Sequence, residues 1–219
     1  MALPTPIEMP SPLPVKAKSF DLNYAQLISP SGTGFSQTIE RGPTLWSASY
    51  ETPPLNDLRD QKMQAFLDEL EGSMGTFLAY DPRRPRPYFY RGTIGKPWVQ
   101  TSQADAIVIA GNYTASTLKL GRLQNGAVFT NGDYISFQIG RAWYIHRVGG
   151  NGGVVVGNEV TLKVKSRPIT FAGATHVARL DKACCTMKLN GKPEKQDTVD
   201  SFPQYRFSAF QFVDRSTDP

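Results

Sequence analysis

The sequence predicts a mainly β fold with one α-helix, organised as a β-sandwich with an inserted small antiparallel, OB-like β-barrel. Three observations carry this. Between Ile94 and Pro168 short β-prone runs alternate with Gly and Asn turns; one clear stretch, about 57–71, has helical spacing; and 19 Gly and 17 Pro punctuate the 219 residues. With 40% hydrophobic and 20% charged residues the composition is that of a globular chain, and it excludes wholesale disorder, a coiled coil or a collagen-like rod. No apolar run is long enough to span a membrane.

Residues 1–14 carry prolines at 4, 6, 10, 12 and 14, which remove backbone donors and fix φ. An extended arm, kept out of any sheet interior, is expected there. From Lys16 to Tyr50 two or three strands fit, separated by Ser29 to Gly34 and Arg41-Gly-Pro, with Leu45, Trp46 and Tyr50 as bulk. The helix follows. Asn56 is its N-cap, Asp57 and Asp60 suit the positive dipole end, and Leu58, Met63, Phe66, Leu67 and Leu70 fall on one apolar half before Gly72 stops it. Its last turn holds Asp68, Glu69 and Glu71 at the negative end of the dipole, so either a cationic neighbour or a solvated acidic face is expected.

A strand from Gly75 then ends in a proline-stiffened basic loop with Arg83, Arg84, Arg86 and Arg91, interleaved with Tyr88, Phe89 and Tyr90. Such a loop suits another protein, solvent or, through its rings, single-stranded bases. Beyond it, strands are predicted at Ala106 to Ala110, Thr117 to Leu120, Ala127 to Phe129, Tyr134 to Ile139, Ala142 to Val148 and Glu159 to Val164, with Gly149 to Gly153 as a hairpin tip. Alternation turns Val160, Leu162 and Val164 inward and Thr161, Lys163 and Lys165 to solvent; Ile135, Phe137 and Ile139 likewise share a face. Strands around Val177 to Leu180 and Cys184 to Leu189, a polar turn at Asn190 to Lys195 and a closing run Tyr205 to Val213 complete the chain. In that run Tyr205, Phe207 and Ala209 oppose Phe210 and Phe212, which calls for a bulge or for cover on both faces. The domain reading is an arm at 1–14, a sandwich at 15–90 plus 169–219, and an inserted β-domain at 91–168, with a single continuous sandwich as the alternative.

The residue types that carry chemistry are sparse. His146 and His176 have no partner at zinc spacing, Gly95-Lys96 and Gly191-Lys192 are turns rather than phosphate loops, and no nucleophile elbow occurs. No catalytic residue, metal or cofactor is expected. The adjacent Cys184 and Cys185 read as reduced thiols, at least one buried, and with no secretory signal at Met1 the expected compartment is the reducing cytoplasm. The formal charge of +5 speaks to solubility and steering, not to a site.

Several phrases in fixed order nevertheless point to a family. Phe66-Leu67-Asp-Glu-Leu70-Glu-Gly72, Gly75-Thr-Phe-Leu-Ala-Tyr-Asp81-Pro82, Asn131-Gly-Asp133-Tyr-Ile-Ser-Phe with Trp143-Tyr144, Val160-Thr-Leu-Lys-Val with Pro168, and Tyr205-Arg-Phe-Ser-Ala-Phe together resemble the distal tail proteins of long non-contractile-tailed bacteriophages and gene transfer agents. The resemblance runs from about Ser19 to Val213. It implies a homo-oligomeric ring, usually a hexamer, at the virion tail tip, joining tail tube protein to tail hub protein and leaving a lumen through which DNA passes. Made and assembled in the host cytoplasm, such a protein inserts into no membrane and needs no catalytic group. The family's large carbohydrate-binding domain finds no room in this length. In such a ring the arm and the Arg83, Arg84, Arg86 and Arg91 loop are expected to reach adjacent subunits, the loop meeting Asp68, Glu69 and Glu71. The competing reading is an OB-like module binding single-stranded nucleic acid or carbohydrate through Tyr113, Trp143 and Tyr144.

Overall fold

The computed structural model describes residues 5–10, 15–30, 36–90, 106–166, 171–197 and 202–213. Strands β1 (Ile7–Glu8), β2 (Lys16–Asn23), β3 (Gln26–Pro30), β4 (Ser36–Glu40) and β5 (Leu45–Glu51) precede the helix α1 (Asp57–Glu69). After it come β6 (Phe77–Tyr80), a 3-10 turn at Tyr88–Tyr90, β7 (Ile107–Asn112), β8 (Thr117–Gly121), β9 (Val128–Phe129), β10 (Tyr134–Ile139) and β11 (Ala142–Val148). The chain ends in β12 (Gly153–Val154), β13 (Val160–Lys165), β14 (Phe171–Arg179), β15 (Cys184–Leu189), β16 (Glu194–Asp197) and β17 (Pro203–Gln211). The fold is mainly β with a single helix.

Two bodies of sheet organise the strands. A seven-stranded open sheet has the order β1-β6-β15-β17-β5-β2, with β16 also paired to β17, and a closed barrel has the order β10-β11-β13-β8-β7-β14. The barrel strands pair antiparallel, as strands joined by short turns must. Alternation fills the barrel. Val160, Leu162 and Val164 are buried while Thr161, Lys163 and Lys165 are exposed, and Ile135 and Phe137 join the same interior.

One face of the open sheet gathers Trp46, Ala48 and Tyr50 from β5 with Tyr205, Phe207 and Ala209 from β17. The helix covers part of that face. Asn56 caps it by accepting from the Arg59 N–H at 3.1 Å, and Met63, Phe66 and Leu70 enter the core, with the Phe66 and Phe77 rings edge to face. Asp60 fastens it to the sheet by accepting from the Tyr205 hydroxyl and from Lys195 Nζ. The rest of the face is closed by the barrel. Tyr134 and Ile145 lie in this core, whereas the next residues along their strands, Ile135 and His146, face each other across the β10–β11 ladder inside the barrel. Trp46 sits at the junction, fully buried, donating from Nε1 to the Ile145 carbonyl at 2.8 Å and packing on Phe20 and Tyr134.

Several sequence expectations need correcting. Leu58 is 62% exposed, because at 3.6 residues per turn it stands about 140° around the helix from Met63, at the margin of the apolar half. The region from Lys16 to Tyr50 holds four strands rather than two or three. β14 belongs to the barrel, pairing with β7 and β10, so the barrel takes up residues past the expected boundary at 168. The Gly149 to Gly153 cluster joins β11 to β12, which pair with different partners and make no hairpin with each other. Gly152 is required there: a Cβ would meet the Phe129 carbonyl oxygen at 2.1 Å, and its φ is +70°. Glu194 and Lys195, expected in a turn, begin β16. β17 runs without a bulge and leaves Phe210 42% exposed. Both cysteines are buried thiols.

The Trp46→Phe variant keeps a ring in place but removes the indole N–H that donates to the Ile145 carbonyl, which then keeps only the Ser166 hydroxyl at 3.2 Å as its side-chain donor among the described residues. It is expected to lose about 2 kcal/mol in urea unfolding, and a larger loss is expected for Trp46→Ala, about 4 kcal/mol.

Candidate functional site

The described residues offer no group of three or more His, Cys, Asp and Glu arranged to hold a metal. The informative places are surfaces. The first is the β3–β4 ribbon, which among the described residues pairs only with itself, Leu27 opposite Ile39 and Ile28 opposite Thr38. All of its described side chains are exposed, Leu27 at 41%, Ile28 at 64% and Ile39 at 48%. Since neighbouring residues of a strand face opposite ways, Leu27 with Ile39 makes one face apolar and Ile28 does so for the other. A two-stranded ribbon is marginal on its own in water, and both of its edges carry unpaired backbone groups.

The second surface is the basic loop. Arg83 folds back on the buried Asp81 through its backbone N–H and its Nε, each at 3.0 Å, and through Nη2 at 3.3 Å. Arg86 makes a bidentate pair with Asp181, Nε to Oδ1 at 3.0 Å and Nη2 to Oδ2 at 3.1 Å. Each acid raises the pKa of the guanidinium it holds. These two arginines fix the loop to its own chain. Arg84 is exposed, stacked at 5.8 Å over the Tyr134 ring, and Arg91 lies outside the described residues. Asp68, Glu69 and Glu71 are exposed, no basic residue stands in the last helical turn, and no described cation pairs with them. Among the described residues, therefore, the acidic turn and Arg83, Arg84 and Arg86 form no ion pair.

The proline-rich arm is likewise tied inward where it is described. β1 pairs in parallel with β6 at the sheet edge, Met9 is buried, and Glu8 reaches Arg179 at 3.2 Å. Residues 1–4 and 11–14 lie outside the described residues. An edge position agrees with an arm kept from the sheet interior. The described part contacts its own subunit through these groups.

A third feature is a pair of clefts, of about 1010 Å³ and about 700 Å³, that share Lys165. Lys163 and Lys165 enter from the solvent side of β13, Arg147 from β11 and Arg84 from the loop. Asp133 lies in the wall but is fully engaged: its carboxylate accepts from the Tyr88 N–H at 2.8 Å, the Thr130 N–H at 2.6 Å and the Thr130 hydroxyl at 2.9 Å. Sequence reading placed Lys163 and Lys165 on the solvent face yet missed their convergence with Arg84 and Arg147, which the barrel's strand order creates. It also missed Leu27, Ile28 and Ile39, since nothing in their spacing says that the ribbon leaves the sheet.

The aromatic residues of an OB-like reading do not share a platform. Trp143 is half-buried under the Arg179 guanidinium at 5.0 Å, Tyr144 is 8% exposed and its ring packs near Phe137 in the barrel, and Tyr113 is half-exposed on the turn after β7. The two histidines do come together, on either side of nothing more reactive than a ring. Phe137 stacks on His146 at 5.2 Å and lies 6.1 Å from His176. His146 Nδ1 donates to the Ser166 carbonyl at 2.8 Å, while Nε2 is buried with no partner among the described residues. Burial lowers its pKa to about 4, against the raising effect of the Ser166 hydrogen bond.

No protein-family model matches the chain, and no curated protein matches it in sequence.

Because the folded value of His146 lies below the ordinary 6.5, its contribution to stability is complete above pH 6.5 and is lost as pH falls toward 4. Between pH 7 and pH 5 the loss is expected to be about 2 kcal/mol. Urea titrations over that range are expected to show it as a difference in slope between the wild-type chain and His146→Phe.

Proposed function

We propose that the chain is a structural subunit of a ring at the distal end of a long, non-contractile phage-type tail. The observation that carries this is the β3–β4 ribbon: its described side chains are solvent-exposed on both faces, and apolar residues lie on each. An isolated ribbon of this kind gains order by lying against something else, and identical copies around an axis supply that cover without any other partner. A mainly β subunit with one helix and open sheet edges suits such docking, and the resemblance of its ordered phrases names the assembly.

In this reading the ring is a homo-oligomer, most simply a hexamer, that connects tail tube protein to tail hub protein. DNA is passing cargo through the lumen, and the job is mechanical rather than catalytic. The head-to-tail interface buries different patches of each copy, so its rotation must close on itself.

Purified chain is expected to give a defined oligomer by light scattering and a ring with an open centre in negative stain. Placing charge on both faces of the ribbon, with Ile28→Lys and Ile39→Lys together, is expected to weaken association at least tenfold and to leave the thermal midpoint of the dissociated subunit unchanged. A wild-type chain that stays monomeric at every concentration reached overturns the reading.

A further inference from the structure

We infer that the basic surface where the two clefts meet at Lys165 receives the acidic last turn of α1 from a second copy of this chain; this rests on the ring reading and names one of its contacts. Arg84 and Arg147 line the smaller cleft, Lys163 the larger and Lys165 both, and none is paired with a carboxylate among the described residues. Two of them are positioned by aromatic faces, Arg84 over Tyr134 and Arg147 over Trp46, each at 5.8 Å. Stacking of this kind fixes a guanidinium in place and leaves its N–H edge available to an anion. The lysines leave the barrel on alternate residues of β13 and point the same way.

Asp133, in the wall of the smaller cleft, makes no ion pair with this group among the described residues; its carboxylate accepts three hydrogen bonds from Tyr88 and Thr130. Glu40 lines the larger cleft with Lys163 and Lys165 and is paired with neither among the described residues.

The complementary charge is carried by the same molecule. Asp68, Glu69 and Glu71 are exposed at the helix end whose dipole disfavours them, and no cation among the described residues pairs with them. The acidic turn leads through Gly75 to Phe77 at the start of β6, while Arg84 lies beyond Tyr80 at the other end of that strand. Two complementary patches held apart within one subunit are what a head-to-tail contact requires, and each new copy brings both at equal stoichiometry. Exposed charges of this sort set register and encounter rate and respond to salt. Among the described loop arginines, Arg83 and Arg86 are engaged within the chain, and Arg84 is the one this contact assigns to the neighbour.

The test uses the full-length chain in sedimentation velocity at 50 mM and 500 mM NaCl. Arg84→Glu with Lys163→Glu and Lys165→Glu makes one variant, Asp68→Lys with Glu69→Lys and Glu71→Lys a second, and all six changes together a third. Every position is exposed, and circular dichroism with thermal melting checks each fold; should the first variant not fold, Arg84→Gln with Lys165→Gln replaces it. Each half-reversed variant is expected to associate at least tenfold more weakly than wild type at 50 mM NaCl, and the six-fold variant to return to within about threefold. Half-reversed variants that associate like wild type, or a six-fold variant that recovers nothing, overturn the pairing while an intact wild-type oligomer keeps the ring reading. A wild-type monomer overturns both. Binding of a labelled single-stranded oligonucleotide that falls tenfold in the first variant, with the oligomer unaffected, assigns the cleft to nucleic acid and also overturns the pairing.

Discussion

The open sheet has one apolar face and two unlike covers for it, and the join between those covers falls at Trp46. The indole is completely buried, its N–H is taken by the Ile145 carbonyl, and its rings meet Phe20, Tyr134 and the Arg147 guanidinium. Burying an indole is among the larger single gains a core can make, but only if the N–H finds an acceptor. Here the acceptor comes from the barrel. The barrel is thus built into the core of the sheet: Tyr134 and Ile145 point out of the barrel and into the sheet's own cluster, while Ile135 and Phe137 point the other way. Moving one body relative to the other would expose Trp46 and break its hydrogen bond to the Ile145 carbonyl, which couples the two energetically.

From that coupling follows the placement of charge. The loop after β6 crosses from sheet to barrel and is pinned at three carboxylates: Asp81 holds Arg83, Asp181 holds Arg86, and Asp133 holds the Tyr88 N–H. Two of these acids, Asp81 and Asp133, are about 1% exposed, so their oxygens must be engaged and are. The basic composition of the loop is mostly consumed by this internal work. Of the described loop arginines Arg84 stays outside these ion pairs, and it shares a cleft with Lys165 from a barrel strand distant in sequence. A stretch that looks in one dimension like a single basic patch becomes, once folded, an internal anchor with one outward member that joins a patch formed by other elements.

How much of this is legible in the sequence depends on range. Features set by nearest neighbours are readable: Asn56 caps the helix, Met63, Phe66 and Leu70 are its buried side, and Val160 to Lys165 alternate as expected. Leu58 fails because it stands at the rim of the apolar half, and a helical wheel does not say how wide a sector of that half the core covers. Strand pairing is the larger gap. Period 2 says which residues share a face, but it cannot say that β14 joins β7 and β10, that β1 lies along β6, or that the glycines after β11 lead to a different ladder. The basic cleft inherits the same limit, since Arg84, Arg147 and Lys165 are brought together only by the closed strand order of the barrel. As for the ribbon, Leu27 and Ile28 are ordinary β-sheet residues, and only the absence of a third strand beside them makes them conspicuous.

The exposed ribbon and the tight seam divide one problem. A subunit that must be made singly and then locked among copies needs a core that holds without neighbours and a surface that does not. The seam at Trp46 meets the first need with contacts wholly inside the chain. The ribbon meets the second: it gains little from its own subunit, so the free energy of ordering it is supplied when something covers both Leu27 with Ile39 and Ile28. Cover on one face alone leaves the other in water. An element apolar on two sides is therefore fully satisfied only between two surfaces, and closure of a ring, which gives every copy two neighbours, is the arrangement in which no ribbon is left half covered.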